Sequence, residues 1–353
     1  MLGLIVTSLV LVAVVILYNA LKSMRKCDLL SLGSKIMHKM NTTRLITLFP
    51  KSTKCRGVKA SNGHTLFVGN PMFVSTLEEV LKLKARDDDV FIATYPKAGT
   101  TWMQQLVWLI CNDADIETSR KTSIPERSPF LEAVDAPPVL RGIQSVENWP
   151  INKQRIIKTH YPFDLLPEEV RTNRKGKIIY VARNPKDLCV SYYFFHKMGN
   201  KIFENPGTWS EFLSKFSSGN IEAGSWFDHN LKYWKEFQKD KERIYFVTYE
   251  SLKKDLKSEV KAISKFLDKE LTNQQVQDII QECSFDTMSK NINPALAKVG
   301  RRLGMNFSQF KFMRKGQVGD WKNYFTLNQN IVFDHLYEEK MEGTELDFLF
   351  ELE

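Results

Sequence analysis

Residues 89–111 read DVFIATYPKAGTTWMQQLVWLIC. The first seven are β-formers and stop at Pro96, a short KAGT turn follows, and 101–111 has the apolar density of a buried helix. Strand, glycine turn and helix in that order form the opening of a βαβ unit. Such a turn presents unpaired backbone amides and the positive end of a helix dipole, which together suit a phosphate. Lys97 adds charge, and Thr100 and Thr101 add hydroxyl donors. It is not a Walker A loop: GxxxxGK[ST] occurs nowhere, and the lysine here precedes the glycine. Taken alone, the stretch reads equally well as a plain structural connection.

The same pattern recurs outward along the chain. KIIYVA at 177–182 is followed by Arg-Asn-Pro and a helix through Phe195; RIYFVT at 243–248 is followed by a helix to about Leu267; RIIK at 155–158 precedes Thr159-His160. Strands alternating with helices imply one α/β unit around a mainly parallel sheet, with ligands bound beyond the carboxyl ends of the strands. Those ends carry the chemistry. His160 after a strand has the side-chain type of a general base, with Lys158 beside it. Arg183 can grip a phosphate in a bidentate pair, and Ser191, two helical turns on, can add a hydroxyl. In FMRKGQVGDWKNYF at 312–325, Arg314, Lys315 and Gly316 form a basic turn. Read singly, each has a bland alternative: a satisfied core histidine, a helix start with Pro185 in its first turn, a solvated loop. No H-E-x-x-H and no clustered Cys/His pattern suggests a metal.

The composition is that of a globular protein: 353 residues, 43% hydrophobic and 26% charged, with no disulfide framework or disordered signature. The net charge of +9 is local. Ten basic side chains between Lys22 and Lys59 face the single acid Asp28, and from Glu78 onward the charges balance. The bulk of the chain therefore offers no polyanion surface, and nucleic acid is excluded as a partner. Residues 1–21 carry no charge, and as a helix would rise about 31 Å, near the thickness of a bilayer core. The expectation is a transmembrane anchor at 1–21 and a basic juxtamembrane linker at 22–55. A cleaved signal peptide is the alternative, but its charges should precede the apolar run. Lys22, Arg25 and Lys26 follow it, which places the rest of the chain on the cytoplasmic side, at the endoplasmic reticulum or another endomembrane. Five widely spaced cysteines agree with a reducing compartment, whereas the sequons at Asn41 and Asn306 favour the alternative, a Golgi lumen.

YPKAGTTW, KTH, RNPKDLCVSYY and RKGQVGDWKNYFT, in this order, resemble the cytosolic sulfotransferase family over about residues 56–353. PFLE at 129–132, TYE at 248–250 and Ser284–Met288 extend the likeness. The resemblance implies a P-loop-nucleotidase-like, three-layer α/β/α domain. It also implies transfer of a sulfuryl group from 3′-phosphoadenosine 5′-phosphosulfate (PAPS) to a hydroxyl or amine of a small acceptor, which anchoring would make lipophilic. By the same resemblance, Lys97, Ala98, Gly99, Thr100, Thr101 and Trp102 hold the 5′-phosphosulfate and neighbouring adenine. Arg183, Ser191, Arg314, Lys315 and Gly316 hold the 3′-phosphate. Tyr249, Cys283, Ser284, Phe285, Met288, Phe312 and Met313 complete the nucleotide pocket. His160 falls on the catalytic base, Lys97 and Lys158 on its charged helpers, and Phe130, Lys158 and His160 on the acceptor side.

Departures from the family pattern are part of the reading. A homodimer would use a KxxxTVxxxE segment; Lys322 and Thr326 fit, but Leu327 replaces Val and Ile331 replaces Glu, a degraded match. Ala133 stands where the acceptor wall is often bulkier. Two other functions compete: a Golgi-lumenal carbohydrate or tyrosine sulfotransferase, and a catalytically silent membrane protein that binds the nucleotide or a lipophile.

Overall fold

Four parallel strands lie at the centre of the structure: β3 (Val90–Thr94), β4 (Ile156–Thr159), β5 (Lys177–Ala182) and β6 (Ile244–Thr248), in the order β4-β3-β5-β6. This is a computed structural model, and it describes residues 56–59, 65–69, 76–133, 141–199, 203–292 and 305–352. Ahead of the sheet, β1 (Arg56–Lys59) and β2 (Thr65–Gly69) pair antiparallel. In the central sheet Val90 lies opposite both Ile156 and Lys177, and Ala182 opposite Thr248, so all four carboxyl ends open on one side.

Side-chain alternation builds the layers. Val90, Ile92, Ile179, Val181 and Val247 point to one face, and Phe91, Ala93, Ile178, Tyr180 and Ala182 to the other; both sets are buried. Strands apolar on both faces are what a covered parallel sheet requires. On the first face pack α1 (Thr100–Cys111), α6 (Leu256–Phe266) and α7 (Asn273–Glu282), through Met103, Leu106, Val260, Ile263 and Ile279. On the second pack α2 (Pro185–Met198), α3 (Trp209–Ser217), α4 (Trp226–Lys239) and α8 (Leu327–Met341), through Leu188, Phe212, Tyr233 and Phe333. The expected three-layer α/β fold is therefore present.

One expected helix is two. The segment after β6 forms α5 (Tyr249–Lys254) and then α6, because Asp255 leaves helical geometry and accepts the Ser258 amide as an N-cap.

The membrane placement is corrected. Among the described residues no helix is long and apolar enough to cross a membrane; the longest, α8, has 15 residues and rises about 22 Å, short of the roughly 30 Å of a bilayer core. The stretches 1–21 and 22–55, on which anchor and linker were expected, lie outside the described residues. The endomembrane and Golgi placements have no membrane-crossing helix among the described residues to support them.

The amino ends of β3 and β4 are joined by a buried ion pair: Arg155 donates to both oxygens of Asp89 at 2.6 Å, and also reaches the Val146 and Lys84 carbonyls. Removing one member would leave the other charge buried and unpaired. Arg155→Ala should lower unfolding free energy by about 3–5 kcal/mol, read by chemical denaturation; a loss under about 1 kcal/mol would show that the pair contributes little.

Candidate active site

The turn 95–99 decides where the site lies. Tyr95 is fully buried, Ala98 N donates to the Tyr95 carbonyl at 3.2 Å, and Lys97 takes a left-handed backbone at φ 74° before Gly99 at φ 112°. A β-carbon on Gly99 would lie 3.0 Å from the Tyr249 ring, so glycine is required both by backbone and by space. The turn aims the first amides of α1 at a cavity of about 450 Å³ beyond the carboxyl ends of the strands. Thr94 Oγ1 and Thr100 Oγ1, 2.7 Å apart, tie strand to helix across its floor.

His160 lies at the end of β4. Its Nδ1 is 2.9 Å from the Thr94 carbonyl, which can only accept, so Nδ1 carries the proton and Nε2 keeps its lone pair. Burial, with Lys158 adding to it, holds the imidazole well below its ordinary pKa and therefore neutral. The backbone is fixed independently. His160 N donates to the Glu132 carboxylate, His229 Nε2 donates to the His160 carbonyl at 3.1 Å, and Tyr233 Oη donates to the Tyr161 carbonyl at 2.9 Å. Glu132 and Phe130 arrive because 129–131 runs beside β4: Lys158 N donates to Pro129 O and Leu131 N to Lys158 O. The Phe130 ring stands edge-on to His160 at 5.2 Å.

The cations sit on ring faces. Lys97 Nζ is 4.0 Å from the Phe312 centroid and 4.4 Å from Phe195; Lys158 Nζ is 3.9 Å from Phe130; the Arg183 guanidinium is 4.3 Å from Tyr249. Burial, together with Arg183, Lys158 and Arg314, brings the Lys97 ammonium down to about 7. Burial likewise lowers Lys158 and raises Glu132, and each partner offsets the other's shift. Among the wall's donors, Trp102 Nε1 and Arg183 Nε are buried without a hydrogen-bond partner. Unpaired donors beside clustered cations fit an anionic ligand carrying many acceptors.

The late loop is brought in by carboxylates. Asp187 on α2 accepts the amides of Gly319 and Trp321 at 2.8 and 2.9 Å, and Asp320 pairs with Arg314 and Lys315 at 2.5 Å. Asn184 fastens Asp187 to the buried Glu250 after β6. Gly316 lets this loop close on Phe285, whose ring would lie 2.2 Å from a β-carbon there.

Of the residues expected from sequence, Lys97, Gly99, Thr100, Thr101, Trp102, Phe130, Lys158, His160, Arg183, Ser191, Tyr249, Cys283, Ser284, Phe285, Met288, Phe312, Met313, Arg314, Lys315 and Gly316 all line this cavity. Ala98 does not: its side chain is buried in the core beneath the turn. Ala133 is also buried away from the cavity. Glu132, Phe195, Phe203, Glu222 and Ala223 line it without having been singled out as site residues. Glu132 closes the PFLE run; the others had no local signal.

The family model described as "Sulfotransferase domain" matches residues 87–345. Human "Sulfotransferase 1C2" is 40% identical over 282 residues, 80% of this chain and 93% of its own. A crystal structure of mouse sulfotransferase SULT7A1 complexed with PAP is similar with TM-score 0.64 and 30% identity, covering 82% of this chain and 95% of its own. Retinol dehydratase in complex with androsterone and inactive cofactor PAP shares the fold, with TM-score 0.73 and 24% identity over 83% of this chain and 92% of its own.

Asp187→Ala should unfasten the late loop. Amide exchange in 312–323 should then speed up while β3 and β5 keep their protection; unchanged exchange in 312–323 would show that the loop is held by other contacts.

Proposed function

The chain belongs to the cytosolic sulfotransferase family, and from that premise we propose how its cavity performs the reaction. It is a PAPS-dependent sulfotransferase acting on small acceptors, with PAPS as co-substrate. The observation that carries the assignment of roles is His160, neutral and with Nε2 unprotonated, in one cavity with Lys97 and Lys158.

The bound donor supplies the sulfuryl group and leaves as PAP. Lys97, the first amides of α1, Thr100 and Thr101 hold the 5′ end of the donor. Trp102 and Tyr249, whose rings meet edge-on at 5.4 Å, flank the base together with Cys283, Phe285, Met288 and Met313. Arg183, Ser191, Arg314, Lys315 and Gly316 take the 3′-phosphate. Fixed donors and cations in a cavity poor in water stabilise charge more strongly than solvent does.

His160 Nε2 accepts the acceptor's hydroxyl proton as the new sulfur–oxygen bond forms and the bond to the 5′-phosphate breaks. The electron pair of that broken bond stays on the phosphate oxygen, where Lys97 and Lys158 meet it. Glu132 acts through others: it holds the His160 amide and lies beside Lys158. Positioning and electrostatics supply most of the acceleration, as in phosphoryl transfer.

His160→Ala should cut turnover by roughly 10²–10⁴-fold, while PAP still binds, measured by labelled sulfate transfer and by calorimetry. Retained turnover would refute the base assignment. A second outcome follows from Lys97. Its ammonium sits near 7 in the free protein, and an anion raises it, so binding above pH 7 draws in a proton. PAP affinity should fall by up to about tenfold per unit above about pH 7, until pH passes the bound-state value. Calorimetry at pH 8 in buffers of differing ionisation heat should show uptake approaching one proton, diminished in Lys97→Met; no uptake would mean the lysine is already charged when free.

A further inference from the structure

Lys186 stands beside the donor machinery and does not line the cavity. It is the second residue of α2, close after Arg183 and next to Asp187, and its side chain is 4% exposed. Lysine is almost never buried unless paired, and in the first turn of a helix a cation faces the positive end of the dipole, the unfavourable end. The surroundings that offset both costs come from three directions. From α8, Asn330 Oδ1 accepts from Lys186 Nζ at 2.6 Å, and the Asp334 carboxylate pairs with it. From the late loop, the Trp321 ring centroid lies 4.2 Å from Nζ; from the stretch after α8, that of Phe350 lies at 5.0 Å.

Trp321 is thereby gripped twice from α2. Asp187 takes its amide at 2.9 Å, and Lys186 takes the face of its ring. One hydrogen bond leaves a segment free to turn about it, and a second hold on the side chain removes that freedom. The ring is also tied at its edge, where Nε1 donates to the Phe350 carbonyl at 2.8 Å. The residue before Trp321 is Asp320, which pairs with Arg314 and Lys315 at 2.5 Å and accepts from Asn323 Nδ2 at 2.9 Å. Any rotation of 320–321 would carry those two cations with it.

Resting on the assignment of Arg314 and Lys315 to the donor's 3′-phosphate, we propose that Lys186 is a positioning residue for donor binding: seated between α8 and Trp321, its ammonium holds the late loop in the orientation that presents both cations to that phosphate. It acts through Trp321 and Asp320. α8 becomes part of the donor site's support in this way, although none of its residues lines the cavity. A binding group held in place before the ligand arrives saves the ordering that would otherwise weaken affinity, and Lys186 supplies that hold.

The test compares PAP with adenosine 5′-phosphate, which differ in the 3′-phosphate, by calorimetry on the full chain. Wild type should prefer PAP. Lys186→Met keeps an unbranched stem against the rings and removes the charge. Asp334, 40% exposed and accepting from Asn330 Nδ2 at 2.9 Å, then stays solvated and partnered, so the fold should survive. PAP affinity should fall by about tenfold in this variant, while adenosine 5′-phosphate binds as it does to wild type. Lys186→Arg, which keeps the charge and stacks on an aromatic face, should recover part of the loss. In turnover the loss should appear in the KM for PAPS more than in kcat. Trp321→Leu should imitate Lys186→Met, and the two together should weaken PAP little more than either alone. Full additivity of the two, a PAP preference kept intact in Lys186→Met, or equal weakening of both nucleotides with a lowered melting temperature would overturn the proposal and leave Lys186 a structural partner of Asp334. Equal affinities of wild type for the two nucleotides would refute the 3′-phosphate assignment itself, and the proposal with it.

Discussion

Positive charges are brought together where water is scarce, and the rest of the site is arranged to tolerate that. Lys97 answers to three like charges, Arg183, Lys158 and Arg314, and its ammonium is weakened accordingly. A cluster of this kind repels itself unless each member has a partner that does not consume its charge. Ring faces and backbone carbonyls supply such partners. Lys97 lies over Phe195 and Phe312, and Arg183 reaches the carbonyls of Lys97 and Gln317 from above Tyr249. Among the described residues neither has a carboxylate ion pair that a polyanionic donor would first have to break. In the late loop the cations Arg314 and Lys315 are paired with a carboxylate, Asp320, which serves to place them.

The histidine shows the same economy of protons. The proton abstraction proposed for His160 needs a neutral imidazole, and two features secure it: low polarity around the ring, and a carbonyl acceptor that fixes which nitrogen holds hydrogen. Neither arises from His160 alone. The carbonyl is that of Thr94 on the neighbouring strand, and the parallel register that sets Ala93 beside Thr159 brings it within reach. Sheet topology thus fixes the tautomer.

Much of this was legible in the sequence, for a physical reason. A strand, a tight turn and a helix are local events, so YPKAGTTW and KIIYVARNP announce both the fold and the ends where ligands lie; β5 occupies 177–182 as expected. Asp255 could have been read as a helix start, but continuous apolar spacing to Leu267 masked it. What escaped is non-local. Nothing near Asp187 says that its oxygens will take amides more than 130 residues later, and nothing near Glu222 says that a strained loop will turn it into a cavity. Ala98 was assigned to the site with its motif although its side chain turns inward, because a motif does not say which face each member shows. The apolar run at 1–21 was legible as hydropathy; it lies outside the described residues, and the described helices include no membrane span.

The fastening of Gly319 and Trp321 to Asp187, and of Asn184 to the Leu349 carbonyl, also bears on how the chain reaches this state during synthesis. The four strands are complete once residue 248 has left the ribosome, and they can pair by then. The cavity cannot close until the chain is made past residue 320, because one wall of it comes from that late stretch. For the interval between, a cleft with apolar walls and crowded ammonium groups stands open, the kind of intermediate that invites misassociation. Premature termination before residue 320 would leave a sheet able to form but no enclosed site, so completeness of the polypeptide is itself a condition of activity.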